Sequence, residues 1–198
     1  LLLAHGAGAA MDSPFMESMA QHLAVRGVAV VRFEFPYMAA RRQDGIRRPP
    51  NPQAQLLDSW RQVYASVRRQ VTGVLAIGGK SMGGRMASML ADELGADALI
   101  CLGYPFHAPG KQEKPRVAHL EELRTPALIV QGTRDRMGAV AEVEGYALAL
   151  GVEVLWLESG DHDLKPTKVS GFTHADYLER TAVAVAAFLE RVAATTAD

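Results

Sequence analysis

Val74-Leu75-Ala76-Ile77-Gly78 is an unbroken apolar run that reads as a buried strand, and Gly79-Lys80-Ser81-Met82-Gly83 follows it at once as a G-x-S-x-G pentapeptide. From Gly84 to Leu94 the spacing reads as a helix. Strand, serine and helix in this order are what a nucleophile elbow requires. The turn packs backbone so tightly that the residues two before and two after the serine must be nearly free of side chain. The serine is then held strained, with its hydroxyl exposed at the top of a sheet. Five residues alone arise by chance; the flanking strand and helix give this pattern its meaning.

Outward from the elbow, short Val/Ile/Leu-rich runs alternate with amphipathic stretches. The expected strands are 1–5, 28–34, 74–78, 98–103, 127–131 and 152–157. Most are continuous apolar runs without period-two alternation, the signature of parallel strands covered on both faces. Ser13-Pro14 supplies an N-cap and a first-turn proline, Phe15, Met16, Met19, Ala20 and Leu23 share one helical face, and Gly27 closes the segment. Residues 53–71, 139–150 and 173–194 read as further helices. The fold class is therefore α/β, a mostly parallel doubly wound sheet formed by residues 1–198 as one domain. Segments 35–52, 104–116 and 159–172 are irregular. Each follows a strand, so each is expected at the carboxyl edge of the sheet, where open α/β folds place their ligands.

A serine hydroxyl attacks only when a base takes its proton, and the base needs a carboxylate to fix its tautomer. In this topology the partners follow in the chain order Ser, Asp, His. Gly132-Thr133-Arg134-Asp135 comes just past one later strand and Gly160-Asp161-His162-Asp163 just past the next, so Ser81, Asp135 and His162 are expected to converge. His107 is the rival base, since it sits in a loop at the same edge; Asp161 and Asp163 are rival orienting acids. An oxyanion hole needs two backbone N–H groups. Met82, directly after the nucleophile, offers one, and the His5-Gly6-Ala7-Gly8 loop offers the other, from Ala7 or from Gly8. Tyr37, Tyr104, Phe106 and His107 lie in loops at this edge and are expected to line a substrate pocket. Arg41, Arg42, Arg47 and Arg48 form a basic cluster: either a solvated loop or a rim that attracts anionic substrates.

Other chemistries fit less well. A phosphate loop before Lys80-Ser81 would need glycine where Val74 stands, and flexible backbone where the strand lies. Asp161-His162-Asp163 lacks the second, spaced ligand group of a metal site. The 198 residues carry a net charge of −1, with 48% hydrophobic and 22% charged residues, an ordinary composition with no electrostatic pull toward nucleic acid or acidic membranes. No apolar stretch approaches the roughly 18 residues of a membrane span. One cysteine, Cys101, excludes an internal disulfide and suits a reducing, cytoplasmic setting.

His5-Gly6-Ala7-Gly8, Phe35-Pro36-Tyr37, 78–85, 103–107, 131–135 and 160–162 together resemble the α/β-hydrolase superfamily. Within it the chain is similar to the small testis-expressed and chromatin-complex hydrolase-like domains and their bacterial relatives, near the dienelactone hydrolases. The resemblance implies a Ser81–His162–Asp135 triad, no cofactor and a minimal fold without a cap domain. Two features depart from it. The first strands of the superfamily sheet are missing and are expected upstream of Leu1, and serine stands where dienelactone hydrolases have cysteine. The expected function is hydrolysis of carboxylic esters or thioesters of small to medium acyl substrates. The alternative is a silent, hydrolase-like interaction domain. The sequence does not speak to oligomeric state.

Overall fold

All of Ala98–Leu102 is apolar, yet its residues divide: Leu99 and Cys101 enter one core, while Ala98, Ile100 and Leu102 enter another. Successive strand side chains point to opposite faces, so a strand apolar at every position needs cover on both. A computed structural model describes residues 1–196 and shows that cover. Strands β1 (Leu2–Ala4), β2 (Val31–Phe33), β3 (Ala76–Lys80), β4 (Ala98–Leu102), β5 (Ala127–Gly132) and β6 (Val152–Leu157) form one parallel sheet in the order β2-β1-β3-β4-β5-β6.

The helices are α1 (Pro14–Ala24), α2 (Pro36–Asp44), α3 (Gln53–Arg68), α4 (Met82–Ser88), α5 (Ala91–Leu94), α6 (Ala118–Glu121), α7 (Val140–Val143) and α8 (His174–Thr196). One face of the sheet is closed by α1 and α8 through Met16, Met19, Leu23, Tyr177, Val185 and Phe188. On the other, α3 and α4 pack Leu56, Trp60, Tyr64 and Met86 against Phe33, Phe35 and Tyr104. Trp60 is fully buried, with the Phe33 ring edge-on at 4.8 Å; burying one such aromatic contributes about 2–3 kcal/mol. No cap domain is evident among the described residues, and none of their helices is long and apolar enough to cross a membrane.

Four local readings need correction. Segment 35–52 is not wholly irregular: Phe35 is extended, Pro36 sets the first helical φ, and α2 runs until Gly45 turns left-handed at φ 72°. Asn51 Oδ1 accepts the Tyr37 N–H at 2.8 Å, satisfying one otherwise unpaired amide at the start of α2. Segment 139–150 holds only the single turn α7. Gly145 breaks the helix there, and the chain docks back through Ala149 N–H to Leu120 O. The elbow helix starts at Met82 and breaks near Met89, giving α4 and α5. Ser13 occupies the N-cap position without a side-chain capping bond.

Candidate active site

Parallel strands end at one edge, and the loops after β1, β3, β5 and β6 all emerge there. The loop after β3 is the elbow. Ser81 has φ 51° and ψ −117°, a conformation that L-residues rarely adopt and that costs about 1–3 kcal/mol. The glycines around it are there for space. A Cβ on Gly79 would lie 2.5 Å from Ala4 O, and one on Gly83 would lie 2.5 Å from His5 O. Both obstacles are backbone, so neither moves cheaply.

Ser81 Oγ lies 2.8 Å from His162 Nε2, and His162 Nδ1 lies 2.7 Å from Asp135 Oδ2. Asp135 is 1% exposed. Its Oδ1 accepts the Met137 N–H at 2.8 Å, and Oδ2 also accepts from Gln131 Nε2 at 2.9 Å. An ionised carboxylate only accepts, so Nδ1 carries the imidazole proton and Nε2 is left with a lone pair aimed at the serine hydroxyl. Three residues separated by up to 81 positions thus form one continuous relay.

The rivals face elsewhere. His107 is fully buried, with Nδ1 at 2.7 Å from Ala108 O and Nε2 at 3.2 Å from Glu142. Asp161 Oδ1 accepts the N–H groups of Asp163 and Lys165 and so shapes the histidine loop. Asp163 pairs with Lys80 Nζ at 3.1 Å.

The loop after β1 is held from behind. Phe35 N–H donates to His5 Nε2 at 3.1 Å, so His5 Nδ1 carries the proton and donates to Gly6 O at 2.7 Å. Tyr37 Oη donates to Ala7 O at 2.9 Å, with Gly6 O at 3.3 Å. The peptides are trans, so the N–H of Ala7 points opposite to the Gly6 carbonyl and away from these tethers. Ala7 lines both clefts that meet at Ser81. Met82 opens α4, where the first bond back to the turn comes only from Arg85 N–H to Ser81 O, so the Met82 N–H has no acceptor within the helix.

One cleft, about 310 Å³, runs past Phe15 and Lys80; the other, about 440 Å³, runs past Arg85, Pro105 and Met137. The aromatic pocket wall expected from sequence is not there. Tyr104, Phe106 and His107 are each 0% exposed, and Tyr37 is 4% exposed behind the Ala7 loop. Their loops turn the large apolar groups into the core. Tyr104 serves through its backbone: its N–H donates to Gln131 Oε1 at 2.8 Å, and Gln131 in turn steadies Asp135. Gln131 and His5 are the residues that sequence reading left without a role. Both stand at strand ends beside site residues, the one signal that singles them out. Among the described residues no cluster of three or more His, Cys, Asp or Glu side chains is placed to hold a metal.

The chain matches the α/β hydrolase domain family over residues 1–190 and belongs to it. It is similar in fold to the esterase domain of a Rhodothermus marinus protein, at 17% identity and TM-score 0.68, covering 96% of this chain and 85% of that one. Est1E of Butyrivibrio proteoclasticus aligns at 18% identity and TM-score 0.67, over 98% of this chain and 87% of that one. A lidless α/β serine hydrolase of Xanthomonas campestris aligns at 18% identity and TM-score 0.62, over 96% and 80%.

Proposed function

We propose that this α/β hydrolase is a serine-dependent carboxylic ester hydrolase acting on small to medium acyl substrates through an acyl-enzyme. The observation that carries the reading is the relay from Asp135 Oδ2 through His162 to Ser81 Oγ, at 2.7 and 2.8 Å, beginning from a strained serine. Strain of that kind persists only where the surrounding structure enforces it.

Ser81 Oγ attacks the carbonyl carbon as His162 Nε2 takes its proton, and Asp135 stabilises the imidazolium from the Nδ1 side. The Ala7 and Met82 N–H groups receive the charge that develops on the carbonyl oxygen. Collapse of the tetrahedral species breaks the bond to the leaving alcohol, or thiol, which leaves with the proton from His162. The imidazole then deprotonates a water that attacks the acyl-serine, and a second collapse releases the acid and returns the proton to Ser81. Side chains carry every proton, so the reaction as written needs no cofactor. The two clefts meeting at Ser81 give separate seats for acyl and alcohol portions.

A fluorophosphonate probe tests the reading. Labelling of the wild type that vanishes in Ser81→Ala, together with turnover of 4-nitrophenyl esters, supports it. Folded protein that neither labels nor turns over such esters or acyl thioesters overturns it and leaves the interaction-domain alternative.

A further inference from the structure

Two clefts meet at Ser81 and an outer one adjoins the first along Gly8, Ala9 and Ser13, and their charges differ in kind. In the first, Lys80 is matched by Asp163. In the outer one, Arg42 is held by Glu34 and Asp12. Arg48 on the nearby rim likewise pairs with Asp44 at 2.5 Å. The third cleft, of about 440 Å³, has Arg85 and Arg116 in its wall and no acidic residue among those lining it. Neither arginine makes an ion pair among the described residues.

Arg85 sits on the elbow helix, four residues after the nucleophile. One of its terminal nitrogens donates to Gln53 Oε1 at 3.3 Å, while its Nε is buried without any partner. A buried donor left unpaired in this way costs about 1–3 kcal/mol, more when the group is charged. Arg116 is half-buried, and its backbone is fixed on both sides: its N–H donates to Phe106 O at 2.6 Å and its carbonyl accepts from Tyr104 Oη at 2.9 Å. Burial first, and then the neighbouring Arg116 charge, lower the Arg85 guanidinium below its ordinary range. Two guanidinium charges close enough to perturb one another repel, and no acidic side chain among the described residues pairs with either. A concave site with uncompensated charge focuses its field on whatever enters.

We infer that Arg85 and Arg116 form an anion-binding subsite beside Ser81, and that the substrate carries a carboxylate or phosphate group on the portion seated in this cleft. The inference rests on the ester-hydrolase reading for its meaning as specificity, but the anion site is measurable without catalysis. Guanidinium groups are suited to it because their planar fork matches the oxygens of carboxylate and phosphate. Gln53 and Asn51 in the same wall add neutral hydrogen-bonding groups.

The experiment has two readouts. The first is the ratio of kcat/KM for 4-nitrophenyl hemiglutarate to that for 4-nitrophenyl valerate, which lacks the terminal charge. The wild type is expected to favour the anionic ester by about tenfold or more, and Arg116→Gln and Arg85→Gln each to cut that ratio about tenfold, the size of a lost charge-assisted contact. Arg69→Gln, which removes a positive charge at the far end of α3, keeps the wild-type ratio. The second readout is calorimetric binding of glutarate and of inorganic phosphate to each protein. The tighter of the two identifies the group, and either binding must be lost in Arg116→Gln. Arg116 is on a loop, so its variant remains informative even where Arg85→Gln, on the elbow helix, does not fold. If the wild type shows no preference and binds neither anion, or if Arg116→Gln binds as the wild type does, the subsite is refuted. Anion binding that depends on Arg116, in a protein that the fluorophosphonate does not label, upholds the subsite while the hydrolase reading falls.

Discussion

Tyr37→Phe tests whether the Ala7 loop is held in place for catalysis. The hydroxyl is the only group removed. The ring stays 4% exposed, and its packing against His5, at 5.8 Å between centroids, is unchanged. What is lost is one bond to Ala7 O at 2.9 Å, whose proton also faces Gly6 O at 3.3 Å. A neutral hydrogen bond contributes about 1 kcal/mol net, and stranding a buried carbonyl costs about 1–3 kcal/mol. His5 still grips Gly6 O at 2.7 Å, so the loop keeps one of its two tethers. Deleting an oxyanion donor outright costs about 100- to 1000-fold in kcat. A donor that is loosened rather than lost should cost less, about 5- to 50-fold by the same scale. The loss should fall on kcat with KM little changed, because the oxyanion exists only along the reaction coordinate. Steady-state kinetics on a 4-nitrophenyl ester, with a thermal melt alongside, decide the matter. An unchanged kcat in a protein with a lowered melting point would make Tyr37 a packing residue and refute the argument; so would an effect confined to KM.

Asp135→Asn should lower kcat about 10³- to 10⁴-fold without unfolding the protein, because an amide offered to Nδ1 favours the wrong tautomer; turnover within tenfold of wild type would contradict the relay. Ser81→Gly should be inactive yet more stable than Ser81→Ala by about 1 kcal/mol, since glycine accepts a positive φ that alanine does not; equal urea midpoints would mean that the elbow is unstrained. His119 is held down to about 4 by burial and, secondarily, by Arg85. Below its ordinary value of 6.5 the unfolded chain takes up a proton that the native one refuses, so its stabilising contribution is intact above pH 6.5 and disappears as pH falls through about 4. For a partly exposed ring that is about 1–2 kcal/mol after screening, and His119→Gln should flatten the fall in urea midpoint between pH 7 and 4.5.

The sheet was legible because its central parallel strands, covered on both faces, are almost wholly apolar, as in β4 and β5; the edge strand β6 matches 152–157 residue for residue although exposed Glu153 interrupts its apolar run. The elbow was legible because glycine spacing records a steric demand: Gly79 and Gly83 stand where a Cβ would strike backbone. Side-chain direction in loops leaves no such record. Tyr104 and Phe106 sit at the correct edge, yet they turn inward and meet edge-on at 4.8 Å. An aromatic in a loop gains more from a core than from a cleft wall, and only the backbone path decides which it finds. Helix α2 escaped notice for a related reason. Its start relies on Asn51, fourteen residues after Tyr37, and no local pattern announces a cap from that distance.

Lys80 shows how much a covalent neighbour constrains the site. It occupies the variable place before Ser81, its side chain is 9% exposed, and its ammonium lies 5.7 Å from the centre of the Phe15 ring. Burial lowers its pKa from the ordinary lysine value, against the pull of Asp163. An ammonium this deep is costly unless it is paired. Its partner is the residue next to His162, so the ion pair joins the immediate neighbours of the two groups that share the 2.8 Å contact. Two parallel links between the elbow and the histidine loop restrict rotation as well as separation, which a single hydrogen bond does not. On the opposite side of Ser81, Arg85 has no such partner, although it stands on the same elbow. One cation next to the nucleophile is spent on holding the loops together. The other keeps its charge for what enters the cleft.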